Sequence, residues 1–571
     1  MEKYEASPHG LIQTVRDGLP QLTWSTFFAV LVFSCIATRI ITGLQCRHHE
    51  HDPTEPRTAR LAPYWAPWIG HSLSFVWDHV KLLSGFRDSM NEPVFGIYLR
   101  GVKHDVVVSP SMMKTVLSSQ DASSTATLDQ ALQNVFGNRG LVRNLNLNRE
   151  IRDDVSSMID REPFASAATT NISRLVKRHV PDLVTFSHSV VDQMPWERAS
   201  QVTLLDNQDQ SVCKVKLFLL IKNFVGHITT SILMGEAFVE AFPGLLENLW
   251  TLDNNFVTLF VGTPRWIPSP GVSAGYAARD RLIHIMSIFS RAFTAWDDGV
   301  DPGIELRDLD DVSELVKERM RTFRKLELSP GASGAALLSL YWDTIEHTTK
   351  IIFWTVLHIF SDPALLKDIR TEISLHTRAS RPSRGETGFP IDSPPQLTLD
   401  LEKVLETCPM LKSCYYESVR LHSAGISFRK LESDLTLSES TEEASHHSSN
   451  PRTYLLRKGE RAMVPHGVYH NDSRHFSNPD QYDPLRFIVT DPDSGAKRVN
   501  KSVLAPFADG LYGSKGNSFN EKEILAVTAA IVSMWEIESA DGNGLAIPGH
   551  KPTWGAFRPA KDVKVKLKLR V

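Results

Sequence analysis

The sequence predicts a mainly α-helical fold with small β-sheets, preceded by a single transmembrane helix. Three observations carry that expectation. Residues 22–44 form one apolar run near the N-terminus. From about 110 to 325, and again over 333–361, apolar positions recur in segments of helical length. Short alternating segments cluster at both ends of the body, and no internal repeat interrupts the chain.

The 571 residues are 42% hydrophobic and 22% charged, which is ordinary globular composition and excludes a collagen-like, mucin-like or wholly disordered chain. At about 150 residues per domain, length alone suggests several domains. The net charge is −4 and no basic stripe directs the chain to nucleic acid. Cys35, Cys46, Cys213, Cys408 and Cys414 show no CxxC pairing and no metal-ligand spacing. They are too sparse for a disulfide scaffold, so the body belongs in a reducing compartment. No cysteine follows Cys414.

In chain order, residues 1–21 read as a polar-leaning tail. Residues 22–44, LTWSTFFAVLVFSCIATRIITGL, carry one charge, Arg39, near the end where it can reach the interface. A span needs about 20 apolar residues, whereas a signal peptide has a shorter apolar core. A membrane anchor is therefore favoured over a signal peptide or a buried helix. Lys3 and Arg16 precede the run and Arg47, Arg57 and Arg60 follow it, which places the body in the cytosol. Residues 45–70, with Pro63, Pro67 and Gly70, read as a stiff hinge. The body is 71–571. Residues 94–108 read as a hairpin turning at Arg100-Gly101. The helical region breaks at Pro163, Pro181 and 262–271. Residues 333–361 predict one helix of roughly 40 Å, closed by Asp362-Pro363. The Ser-, Arg-, Gly- and Pro-rich stretch 377–398 reads as a surface loop, and 438–452 as a polar insertion between short strands.

Glu417-Ser418-Val419-Arg420 lies on a helix beginning near Lys403, with Glu and Arg on one face. Residues 470–487, HNDSRHFSNPDQYDPLRF, bring a second arginine, Arg486, that can join them. Residues 506–524 read PFADGLYGSKGNSFNEKEI. In this order and spacing, the three segments resemble the cytochrome P450 family. That family has a Glu-x-x-Arg helix, a Pro-x-Arg-Phe segment and a loop of form Phe-x-x-Gly-x-x-x-Cys-x-Gly leading into a helix. Phe507, Gly510, Gly516, Phe519, Glu523 and Ile524 fall in register. The resemblance covers about residues 60–571. It implies one large, mainly α domain, in place of the several that length suggests. The long helix looks most like the sterol 7α-hydroxylase and prostacyclin synthase branch.

The resemblance implies site residues. Thr348 falls where the family carries the threonine beside its distal oxygen site, with His347 and Glu346 just before it. The bland reading of this stretch is a solvated stripe, because Glu346 and Lys350 are i, i+4 in the favourable order. Arg429 matches a haem-propionate arginine of this branch, and Phe507, Gly510 and Gly516 belong to the haem loop. The family's haem-ligand cysteine is replaced by Ser514, and the usual basic residue two before it by Tyr512. A thiolate pushes electron density toward O–O cleavage; a serine hydroxyl cannot do so well. Haem is therefore an open question for this chain. Three readings stand: a cyclase or isomerase working in the retained pocket, a haem-dependent monooxygenase served by an NADPH–P450 reductase, and an inactive ligand- or partner-binding member. Each expects a small lipophilic substrate or ligand, a membrane and no nucleic acid. By resemblance, the setting is the endoplasmic reticulum of a filamentous fungus, in secondary-metabolite and possibly terpenoid biosynthesis.

Overall fold

The structure is a computed structural model that describes residues 24–47, 56–137, 162, 164–205, 212–382, 394–445, 450–502, 504, 517–551 and 553–570. The N-terminal apolar run forms one helix, α1 (Trp24–Arg47). It is long and apolar enough to cross a membrane, and Trp24, Phe28, Phe33 and Ile40 along it are exposed. It runs past residue 44 because Gln45, Cys46 and Arg47 contain no helix breaker, and Arg47 suits the negative end of the helix dipole. The end of α1 is tied to the hinge: Tyr64 N donates to Thr42 Oγ1 at 3.2 Å, and the Arg39 guanidinium lies 5.7 Å from the Trp65 ring centre.

The main sheet begins with β1 (Arg60–Leu61) and continues, after α2 (Ser72–Met90), with β2 (Val94–Leu99) and β3 (Val102–Val107). Strands β2 and β3 form the expected hairpin, in register from Val94↔Val107 to Leu99↔Val102. The two turn residues, Arg100 and Gly101, both have positive φ, 49° and 77°. This is the twist that a two-residue hairpin requires. Strands β4 (Ala122–Ser123), β5 (Ile426–Leu431) and β6 (Arg461–Pro465) complete the order β1-β2-β3-β6-β5-β4. A four-stranded sheet joins Trp535–Ser539, Lys564–Leu569, Val212–Lys216 and Thr203–Leu205.

The helical core assembles α3 (Leu217–Met234), α4 (Leu245–Asn254), α5 (Pro270–Asp297), α6 (Pro330–Ser361), α7 (Pro409–His422) and α8 (Asn517–Met534). Helix α6 is its axis. It has 32 residues, with Pro330 in its first turn and the Ser329 side chain accepting from Ala332 N. It is apolar nearly all round, and a helix of that kind is stable only when other elements enclose it. Helices α3, α5, α7 and α8 do so. Gly334 lets α5 come close: a β-carbon there would lie 2.9 Å from Ser287 Oγ and 3.1 Å from the Ile283 carbonyl oxygen. Asp362 ends α6 and caps the next helix, accepting from Ala364 N and Leu365 N.

Two expectations need correction. The 377–398 stretch is not simply a loop, because Thr377–Ser380 and Gln396–Leu399 pair as antiparallel strands; residues 383–393 lie outside the described residues. The helix expected from Lys403 is two helices, Leu401–Thr407 and α7, parted where Pro409 cannot donate to the ladder. The insertion at 438–452 does separate two paired strands, Leu435–Ser438 and Thr453–Leu456.

Glu417, on α7, is wholly buried and meets both arginines. Arg420 donates from Nε and Nη2 to its two oxygens, each at 2.8 Å, and Arg486 Nε lies 3.1 Å from both. Replacing Arg486 with Ala strands part of that buried charge. Chemical denaturation should show a loss of about 3–5 kcal/mol; a loss below about 1 kcal/mol would deny the cluster its structural role.

Deleting residues 1–45 should move the protein from the membrane pellet toward the soluble fraction. With the body in the cytosol, the sequons at Asn171, Asn471 and Asn500 should carry no glycan. A glycosidase-sensitive mass shift at any of them reverses the orientation.

Candidate functional site

A cavity of about 400 Å³ opens between α4, α6, β5 and the C-terminal segment 551–558. One wall is aromatic. Phe256 stacks on Trp342 with ring centres 4.4 Å apart and planes 3° from parallel, and Phe260 packs edge-on to Trp554 at 5.1 Å. A neighbouring cavity of about 290 Å³, beside α2 and the β2–β3 hairpin, shares Val76, Thr127, Phe260, Phe428, Arg429 and Trp554 with it.

Helix α6 presents Trp342, Asp343, Glu346, His347 and Lys350 to the larger cavity. Thr348 is not on that wall. It is wholly buried, and its hydroxyl donates to the Thr344 carbonyl at 2.8 Å. At 3.6 residues per turn, two steps from Glu346 rotate the chain to the far side of the helix. Glu346 and Lys350 are paired as their spacing allows, but they are buried rather than solvated. Lys350 Nζ also lies 3.3 Å from Asp253 Oδ2, on α4. Burial raises the Glu346 carboxyl, with Lys350 opposing. The carboxylate rests on Gly555, where a β-carbon would lie 3.0 Å from Glu346 Oε1. Burial pushes the His347 imidazole down to about 4, helped by the nearby Lys350 charge, so it is neutral at pH 7.

Arg429 lies on β5, largely buried, and lines both cavities; its Nη1 donates to the Phe428 carbonyl at 3.1 Å. Phe507, Gly510, Tyr512, Ser514 and Gly516 lie outside the described residues. Phe519 and Glu523 are buried on α8, where Thr229 Oγ1 donates to Glu523 Oε1 at 2.6 Å and burial pushes the carboxyl up to about 8. Sequence reasoning missed Asp253, Gly555 and Arg558. They come from segments without a motif and meet α6 only through the fold.

Behind the cavity, three histidines form a chain. His358 Nε2 and His422 Nε2 are 2.8 Å apart, as are His422 Nδ1 and His550 Nε2. A neutral imidazole has one donor and one acceptor nitrogen, so His422 gives one bond and receives the other. Burial lowers all three, His358 to about 3. Their folded values lie below the ordinary 6.5 of an unfolded histidine. Their contribution is therefore complete above about pH 6.5 and is lost as pH falls below it, for His358 toward about 3. The urea midpoint should drop between about pH 7.5 and pH 5, with each such group adding up to about 1.4 kcal/mol per pH unit. Replacing His358 with Asn should flatten that slope.

A family model described as Cytochrome P450 matches residues 61–567. The chain is 21% identical over 515 residues to "Cytochrome P450 monooxygenase poxD" of Penicillium oxalicum, covering 87% of this chain and 91% of that protein. It is 23% identical over 265 residues to the "25-hydroxycholesterol 7-alpha-hydroxylase" of Rattus norvegicus, covering 45% of this chain and 59% of that protein. It is 21% identical over 272 residues to the rat "Prostacyclin synthase", covering 46% of this chain and 50% of that protein.

Proposed function

The chain belongs to the cytochrome P450 family, and from that premise we propose that it is a membrane-anchored enzyme that binds one lipophilic secondary metabolite, of the terpenoid kind, and cyclises or rearranges it without thiolate–haem oxygenation. The observation that carries this reading is the cysteine inventory. No cysteine follows residue 414, and none is among the residues lining the cavity. Cys213, Cys408 and Cys414 are buried, and burial pushes each thiol up to about 12, away from the thiolate. In the family-like register of residues 506–524, Ser514 takes the position of the ligand cysteine. The donor set does not fit a thiolate-ligated haem.

What the chain does supply is shape. The aromatic wall can hold a lipophile in one conformation, and holding reacting atoms near contact can supply about 7–11 kcal/mol of the barrier. His347, neutral and on the cavity wall, can donate or accept one hydrogen bond at the ligand. Glu346 can hold or release a proton beside it. Anchoring in the endoplasmic reticulum membrane would bring the cavity to where lipophiles partition.

The name of the Penicillium oxalicum relative favours a second reading: a haem-dependent monooxygenase, with reductase as partner, in which Ser514 or another group holds the iron.

Haem content and the reduced carbon-monoxide difference spectrum of the purified full-length protein separate the two. We expect no thiolate-type band, and conversion of substrate that persists without oxygen or NADPH. A normal band, or activity that requires NADPH and reductase, establishes the monooxygenase instead. Binding without any conversion reduces the protein to a ligand carrier.

A further inference from the structure

The C-terminal rim of the cavity is a two-stranded ribbon, His550–Lys551 against Arg558–Pro559. In its register Lys551 and Arg558 are direct cross-strand partners, and both line the cavity. Directly opposed residues of an antiparallel pair share one face, and like charges placed so are destabilising. No carboxylate pairs with them directly: neither cation has one within 4 Å among the described residues, and Glu346 feels the Arg558 charge only at longer range. Arg558 donates to the neutral amide oxygen of Asn254, and its Nε is buried with no acceptor. The nearest acids are already engaged, because Asp253 and Glu346 share Lys350. The cavity therefore has a paired ionic floor, an aromatic wall and, among the described residues, two rim cations without a direct carboxylate partner.

We propose that this rim is an anion subsite, and that the ligand is a lipophilic carboxylic acid whose carboxylate lies between Lys551 and Arg558 while its apolar body lies against Phe256, Trp342 and Trp554. A carboxylate bridging the two cations relieves their repulsion. Guanidinium and carboxylate geometry match well for this. The assignment rests on the lipophile-binding reading above and narrows it to one chemical class. Haem propionates carry the same carboxylate chemistry, so the test includes them.

Full-length protein in detergent micelles would be titrated with abietic acid and with abietinol, its alcohol, following tryptophan fluorescence. The acid should bind about tenfold more tightly, and the preference should shrink as salt is added. Lys551→Met and Arg558→Met should each lower acid affinity about tenfold, leave the alcohol unchanged, and raise the melting temperature of the ligand-free protein. A merely structural pair would lower that temperature instead. Equal affinity for acid and alcohol overturns the anion subsite while leaving the lipophile cavity intact. Binding of neither overturns both. Haemin affinity lost in both variants, with no acid preference in the parent, assigns the pair to a propionate and overturns the proposal.

Discussion

Glu417 has no access to water, so its charge has to be met entirely by the protein. Two arginines and the Asp483 backbone N–H, at 3.0 Å, meet it. Each arginine is held in turn. Arg420 donates to the His470 carbonyl at 2.7 Å and Arg486 to the Ser477 carbonyl at 2.7 Å. The cluster therefore fixes α7 against segment 470–487. The end of α7 passes that constraint on. The His422 carbonyl accepts from Phe557 N, and Ala424 N donates to the Gly555 carbonyl. The segment Ser423–Arg429, which walls the cavity, and the ribbon that roofs it are thus hung from one buried charge.

The cavity's own charges follow a similar logic with a different outcome. A buried ion pair is weak evidence for stability, since desolvation offsets much of the attraction. Lys350 between Asp253 and Glu346 is better understood as a positioning device: it ties α6 to α4 across the cavity floor. Gly555 then sits directly on the Glu346 carboxylate, where no larger residue fits without displacement. A lipophilic pocket built on such a floor sets ionic groups beside an aromatic wall, which favours one orientation of an amphipathic ligand over the other.

Local rules were legible in the sequence, and contacts between distant segments were not. The hairpin at Arg100-Gly101, the long apolar helix and the charge cluster each depend on a short pattern, whose physics is contained within a few residues or one strong charge. The boundary errors have local causes too: Pro409 splits a helix, and the polar 377–398 stretch hides two strands whose pairing requires both ends. At the site, Glu346 and His347 were marked, but which face of α6 meets the cavity is decided by α3, α4 and α8. Thr348 points away for that reason. Asp253, Lys551, Gly555 and Arg558 carry no signal until the chain folds, because each matters only for what it stands beside.

If Ser514 takes the place of the family's ligand cysteine, as proposed above, the chemistry must draw on something other than a thiolate. Thiolate-driven oxygenation depends on electron release from sulfur, and no arrangement of apolar walls replaces that. Cyclisation and rearrangement depend instead on conformation, which apolar walls supply directly. The walls here are rigid for stated reasons: Trp342 is clamped by Phe256 and Phe136, and Trp554 by Phe260 and Phe75. Rigid aromatic surfaces lose little side-chain freedom when a ligand arrives, so more of the binding energy remains for shaping the ligand. The preserved charge cluster and the proposed loss of the thiolate are consistent under that view. The first maintains a precise pocket, and on that proposal a precise pocket, with His347 and Glu346 on its wall, is what remains for catalysis.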